Sequence, residues 1–146
     1  MQTALADIIR DTPTGQEADR ILRTCVHCGF CNATCPTYQL LGDELDGPRG
    51  RIYLIKQMLE GNAVTVHTLT HLDRCLTCRN CETTCPSGVQ YGALVDIGRR
   101  IVDAKVPREG QDRTLRWLLK EGLTSPAFGP AMGSLRIAAS IVGSSG

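Results

Sequence analysis

The sequence predicts a mainly α-helical domain built around two cysteine loops, and three observations carry that reading. Apolar residues recur at helical spacing in several stretches of the 146-residue chain. Its eight cysteines fall in two copies of one pattern. Aromatics make up only 4% of it, so no large aromatic core is available to hold the fold together.

The elements follow in chain order. Thr14 and Glu17 have capping-box spacing ahead of Ala18, Ile21 and Leu22, which predicts a helix from Gly15 to Thr24. The first cysteine group comes next. The insert from Pro36 to Arg74 opens with a loop, Gly42 to Gly47, whose acidic residues suit the approach to a helix N-terminus. Pro48 then fits a first helical position and Gly61 the end, with Ile52, Leu54, Ile55, Met58 and Leu59 forming the stripe between. Val66 to Asp73 reads as a short helix leading into the second cysteine group. Beyond Pro86, the stretch Ala93 to Val106 places Leu94, Val95, Ile97, Ile101 and Val102 on one side, and Pro107 stops it. Asp112 to Glu121 makes a further helix with Leu115, Leu118 and Leu119 inward. The tail from Ser125 has one charge, Arg136, and many small residues; it reads as a linker and a helix over Ser134 to Val142. This organises the chain as an N-terminal extension (1–14), a central domain (15–106) and the start of a further region (107–146).

The cysteines decide the chemistry. Cys25, Cys28, Cys31 and Cys35 are followed by Pro36, and Cys75, Cys78, Cys81 and Cys85 by Pro86. Each group reads C-x2-C-x2-C-x3-C-P, with every member of the second fifty positions after its counterpart. Three thiolates at i, i+3 and i+6 let a short loop wrap one face of a cubane, and the proline turns the chain away. In two-cluster bacterial arrangements the fourth cysteine serves the other cluster. The expected sets are therefore Cys25, Cys28, Cys31 with Cys85, and Cys75, Cys78, Cys81 with Cys35, each for one [4Fe–4S] cluster. Structural zinc modules use two C-x2-C pairs or Cys/His mixtures and have no need of a third evenly spaced cysteine before C-P. A disulfide framework belongs with a secretory signal, and Met1 to Arg10 shows no hydrophobic signal region. The fold class is thus a helical ferredoxin-like domain with two [4Fe–4S] cluster-binding loops, its small core dependent on metal.

Two stretches carry a family resemblance. One runs Cys25-Val-His-Cys-Gly-Phe-Cys-Asn-Ala-Thr-Cys-Pro-Thr-Tyr38 and on through Gly42-Asp-Glu-Leu-Asp-Gly-Pro-Arg-Gly-Arg-Ile52; the other runs His71-Leu-Asp-Arg-Cys-Leu-Thr-Cys-Arg-Asn-Cys-Glu-Thr-Thr-Cys-Pro-Ser-Gly88. From Glu17 to Val106 the chain resembles the N-terminal cluster domain of glycolate oxidase iron–sulfur subunits. More distantly it is similar to cluster subunits of anaerobic glycerol-3-phosphate dehydrogenase, heterodisulfide reductase and succinate dehydrogenase. The resemblance implies a flavin-linked complex converting glycolate to glyoxylate. FAD would lie in partner subunits, and electrons would pass onward to the membrane quinone pool. Family members continue into a region of Cys-Cys-Gly repeats that this chain does not contain. Lactate, glycerol 3-phosphate or a heterodisulfide are alternative substrates for such a complex, and a zinc-bound interaction module is the alternative from another class.

Several residues beside the cysteines have two readings. His27 either donates a hydrogen bond to a cluster sulfur or faces solvent. Arg79 and Asn80 likewise either donate near the second cluster or are simply exposed. Arg49 and Arg51 read as a solvated, ion-paired face rather than as cluster contacts. His67 and His71 have the i, i+4 spacing of a helical metal pair but lack the zinc-protease carboxylate between them. Trp117 and its leucines read as core or interface.

The exclusions are equally specific. A net charge of +1 speaks against nucleic-acid binding through a strong positive field. The sequence has no G-x-G-x-x-G fingerprint, no P-loop and no nucleophile–base constellation. Reduced thiolates and the lack of a signal imply a cytoplasmic location, peripheral to the inner membrane through partners.

Overall fold

The computed structural model describes residues 1–108, 110–130 and 132–134, and every regular element among them is helical. The chain divides into two units, Met1–Pro107 and Arg108–Gly146.

In the first unit, α1 (Asp7–Arg10) leads into α2 (Pro13–Thr24). The sequence placed the start of α2 two residues late and chose the wrong cap. Pro13 takes the first turn, where its missing N–H is no loss, and the Thr12 side chain accepts from the Gly15 N–H at 3.0 Å. Short helices α3 (Phe30–Ala33) and α4 (Pro36–Leu41) follow, then a 3-10 turn at Glu44–Asp46 inside the expected loop. The long elements are α5 (Pro48–Leu59), α6 (Val66–Asp73) and α8 (Tyr91–Lys105), with the one-turn α7 (Asn80–Thr83) between the last two. Pro48 opens α5, and Gly61 follows its end with φ +93°, a conformation that favours glycine.

The core is where the helical stripes meet. Ala18, Ile21 and Leu22 of α2 pack with Ile52, Ile55, Met58 and Leu59 of α5, Leu69 and Leu72 of α6, and Leu94, Val95, Ile97 and Val102 of α8. Leu5, from the N-terminal segment, is buried with them. Gly50 has a separate task inside α5. A Cβ there would collide with the backbone of Glu44 and Leu45, so its absence lets the 3-10 turn lie directly on the helix. That approach brings Asp46 beside Arg51.

The second unit contains α9 (Gly110–Thr124), covering the helix expected from Asp112 to Glu121. Leu115, Leu118 and Leu119 are about half exposed or more rather than inward, and Trp117 is exposed with them. The helix expected over Ser134 to Val142 lies outside the described residues but for its first. No helix among the described residues is long and apolar enough to cross a membrane.

Candidate metal centre: two cysteine-lined cavities

Each cysteine group begins as an irregular loop and ends in a single helical turn, and the two loops follow the same path. His27 and Thr77 have φ of 62° and 55°, and Gly29 and Arg79 have φ of 88° and 59°, so equivalent positions adopt the same left-handed conformation. Gly29 and Arg79 then cap α3 and α7. A left-handed residue followed by a right-handed one turns successive backbone N–H groups into an anion-binding nest, a device found around iron–sulfur sites. For residues other than glycine this conformation costs about 1–2 kcal/mol each, so the loops hold strain that a bound group must offset. The equivalent threonines Thr34 and Thr84 face each other at 3.4 Å, where the two C-P corners meet.

The loops enclose two neighbouring cavities. Cys25, Cys28, Cys31 and Cys85 line the first, with Ile52, Val89 and Pro86. The second is lined by Cys35, Cys75, Cys78 and Cys81, with Pro36, Thr37, Arg51 and Arg79. Cys81, Pro48 and Tyr91 border both, so the partition is about one side chain thick. The fourth cysteine of each run thus lines the cavity of the other run. All eight cysteines are unbridged; Cys28 and Cys78 are exposed at the rims, while Cys25, Cys35 and Cys81 are buried.

The electrostatics of the cavities call for a cation. Burial pushes the Cys31 thiol up to about 11, with the charge of Cys25 adding to it. Burial likewise takes Cys81 to about 12, with Cys75, Cys31 and Cys35 contributing repulsion. Cys25 is raised by burial and by Cys85 and Cys28. Metal binding at these three thiols would displace their protons to water and offset the repulsion between the thiolates. An all-sulfur donor set in a mostly apolar lining is one that iron–sulfur chemistry uses, and the residues fit such a cluster.

Around the second cavity lies a buried network that sequence reasoning missed. Arg51 is not on a solvated face: it is 1% exposed. Its Nε donates to the His71 carbonyl at 2.7 Å, its Nη2 pairs with Asp46 Oδ1 at 3.4 Å, and its Nη1 donates to Cys35 Sγ at 3.9 Å. The fully buried Asp46 carboxylate also takes Arg74 at 2.8 Å and His71 Nδ1 at 2.9 Å. Burial raises the Asp46 pKa, but hydrogen bonds from His71 and Arg74 outweigh it, and the carboxyl lies below its usual range. His71 Nε2 meets His67 Nε2 at 3.2 Å, so the i, i+4 histidines contact each other, with His71 bound to Asp46. The nearness of Asp46 to Arg51 across the Gly47-Pro48 turn was visible in the sequence. Their burial required the packing of α6.

The remaining flanking residues divide between the cavities. Arg49 lines the first cavity and pairs with Glu44 at 2.6 Å in a partly exposed bridge. His27 is exposed at the mouth of that cavity, its ring edge towards Tyr53. Asn80 is exposed, and its carbonyl accepts from Thr83 and Thr84. Two cations hold the loop entries: the Met1 ammonium donates to the Cys25 carbonyl at 2.7 Å, and Arg99 Nη2 to the Cys75 carbonyl at 2.6 Å.

The comparisons with known proteins agree with this geometry. The 4Fe-4S dicluster domain model matches residues 21–89. The chain is 68% identical over 127 residues to the glycolate oxidase iron–sulfur subunit of Escherichia coli (strain K12), covering 87% of this chain and 31% of that protein. It is 40% identical over 97 residues to the probable glycolate oxidase iron–sulfur subunit of Bacillus subtilis (strain 168), covering 65% of this chain and 22% of the relative. The succinate dehydrogenase iron–sulfur subunit of Paracoccus denitrificans is 31% identical over 90 residues, covering 56% and 35%. The chain therefore spans between 22% and 35% of the length of these relatives. Its eight cysteines fit two [4Fe–4S] clusters. Residues 21–89 thus form a 4Fe-4S dicluster domain, carried by a chain that is similar to the N-terminal part of glycolate oxidase iron–sulfur subunits.

Proposed function

We propose that this chain is the electron-transfer segment of a flavin-dependent glycolate dehydrogenase, passing electrons from the FAD of partner subunits towards a downstream acceptor such as the quinone pool. The observation that carries the reading is the crossed pair of cavities, in which the fourth cysteine of each run lines the cavity of the other run and Cys81 borders both. Cys25, Cys28, Cys31 and Cys85 would hold one cluster; Cys75, Cys78, Cys81 and Cys35 would hold the other. When bound, each cluster supplies a one-electron couple, so two in series drain a two-electron flavin stepwise. The protein's part is to hold the sulfurs and keep water away. Tyr91, Ile52 and Val89 are buried at the cavity walls, and Cys28 and Cys78 sit at the exposed rims, where a donor or acceptor can approach. The likeness to two glycolate oxidase subunits supports glycolate as the substrate of the complex, with its oxidation performed on the partner's flavin.

Anaerobic purification, iron and acid-labile sulfide analysis, and EPR of the dithionite-reduced chain test the proposal. About eight irons and eight sulfides per chain, with spin-coupled signals, are expected. C85A should remove the signal of the set containing Cys25, and C35A that of the set containing Cys75. Stoichiometric zinc without an EPR signal would sink the relay, and loss of the same-run signal in each variant would uncross the ligands.

A further inference from the structure

We infer that the site formed by Cys35, Cys75, Cys78 and Cys81 is the higher-potential of the two, and that Arg51 is the residue that makes it so. This rests on the cluster reading above and adds the order in which the two sites take up electrons.

Hydrogen bonds to the sulfurs and positive charge nearby both favour the reduced state of such a site. Charge acts most strongly where burial keeps water from screening it. The second set differs on both counts, because its donors are side chains and one of them is a buried cation. Arg51 Nη1 donates to Cys35 Sγ at 3.9 Å, and Tyr91 Oη donates to Cys75 Sγ at 3.6 Å. Thr37 Oγ1 lies 3.2 Å from Cys35 Sγ, although the Asp46 carbonyl at 2.8 Å competes for its one proton. For the first set, the donors to sulfur among the described residues are neutral backbone N–H groups: that of Val89, 3.5 Å from Cys85 Sγ, that of His27 towards Cys25, and that of Cys31 towards its own thiol.

Charge follows the same division. Asp46 is one carboxylate shared by Arg51, Arg74 and His71; Arg74 is half exposed and the Asp43 carboxylate lies within 4.8 Å of Asp46 and His71, so the buried cation that reaches a sulfur is Arg51. The exposed Arg79 at the cavity wall and the partly buried Arg99 at the Cys75 carbonyl are screened by solvent to differing degrees and stand against Glu82 beside Cys81. Around the first set stand Arg49, neutralised by Glu44 in a solvent-reached pair, and the Met1 ammonium at the Cys25 carbonyl. The decisive difference is burial: a guanidinium 1% exposed touches a sulfur of the second set, and the first has no counterpart among the described residues. In the transfer, one electron leaves the first site, which is oxidised, and reduces the second. No bond forms and no proton moves. The electron enters from a reduced flavin and leaves to a one-electron acceptor of higher potential.

Anaerobic reductive titration of the whole chain, followed by EPR, tests the order. C28S and C78S, each altering one set, assign the two signals. The second set is expected to hold the first electron at least tenfold in preference, which for a one-electron couple is about 59 mV. R51Q should bring that ratio below tenfold, and R51K, which restores the charge, should recover it. Should R51Q fail to fold, the order of reduction in the unaltered chain decides alone. A first-set signal that appears first, or a ratio unmoved by R51Q, overturns the inference and leaves the cluster reading intact. A chain that takes up no iron overturns both.

Discussion

The loop from Cys25 to Cys31 and the loop from Cys75 to Cys81 are copies in backbone and opposites in surroundings. Both place left-handed residues at equivalent positions, and both end in a one-turn helix. Yet glycine occupies the second left-handed position of one and Arg79 that of the other. Arg49 at the first cavity is about a third exposed and paired with Glu44; Arg51 at the second is buried and shares the Asp46 carboxylate. A repeat of cysteine spacing therefore fixes the path of the chain around a cluster. It leaves the charge around that path free to differ, and two sites of one type gain different electrostatics.

The strongest way to break the comparison is at Asp46. D46N leaves Arg51 buried without its carboxylate and is expected to cost about 3–5 kcal/mol, read as a lowered urea midpoint of the cluster-loaded chain. Because the native carboxyl titrates below its usual range, its stabilisation is present above the unfolded pKa near 4 and is lost as pH falls through the lower folded value. The gap between wild type and D46N should accordingly shrink below about pH 4; a gap independent of pH would mean the carboxylate charge plays no part. Next in size is exchange at the left-handed position. G29R should cost about 1–2 kcal/mol at φ +88°, where the new side chain also displaces the Arg49 guanidinium. R79G relieves similar strain but frees the unfolded chain, so its net effect should stay within about 1 kcal/mol. Equal thermal shifts for the two would show that the loops are equivalent in surroundings as well as in path. Smallest is E44Q, which breaks a partly exposed pair and should cost about 1 kcal/mol or less, with the first-set EPR signal unchanged. A loss as large as that of D46N would place the two ion pairs on the same footing.

The long helices were legible in the sequence because each rests on a local signal. Pro48 and Gly61 bracket α5, and Pro107 follows α8. The cysteine list was equally legible from its spacing, and the family resemblance from the residues running on around it, Gly42 to Ile52 and His71 to Gly88. The start of α2 was misplaced by choosing Thr14 over Thr12, two candidate caps two residues apart. Leu115, Leu118 and Leu119 were expected inward from periodicity, which marks an apolar face without saying that anything covers it. Arg51 was the largest miss. Its burial depends on Gly50 admitting the 3-10 turn and on α6 delivering His71, and no window of sequence near Arg51 contains both.

The crossing of the two cysteine runs also bears on how the molecule is assembled. Cys25 and Cys85 stand sixty positions apart, and bringing them to one cavity closes a loop over most of the first unit. The entropy of that closure grows only slowly with length, but it is charged once. After one site is formed, Cys35 and the second loop are already neighbours, and the remaining site closes at far smaller entropic expense. With the ligand sets crossed as proposed, each site would be the scaffold on which the other is built, and a chain holding one cluster is expected to be a brief stage on the way to holding two.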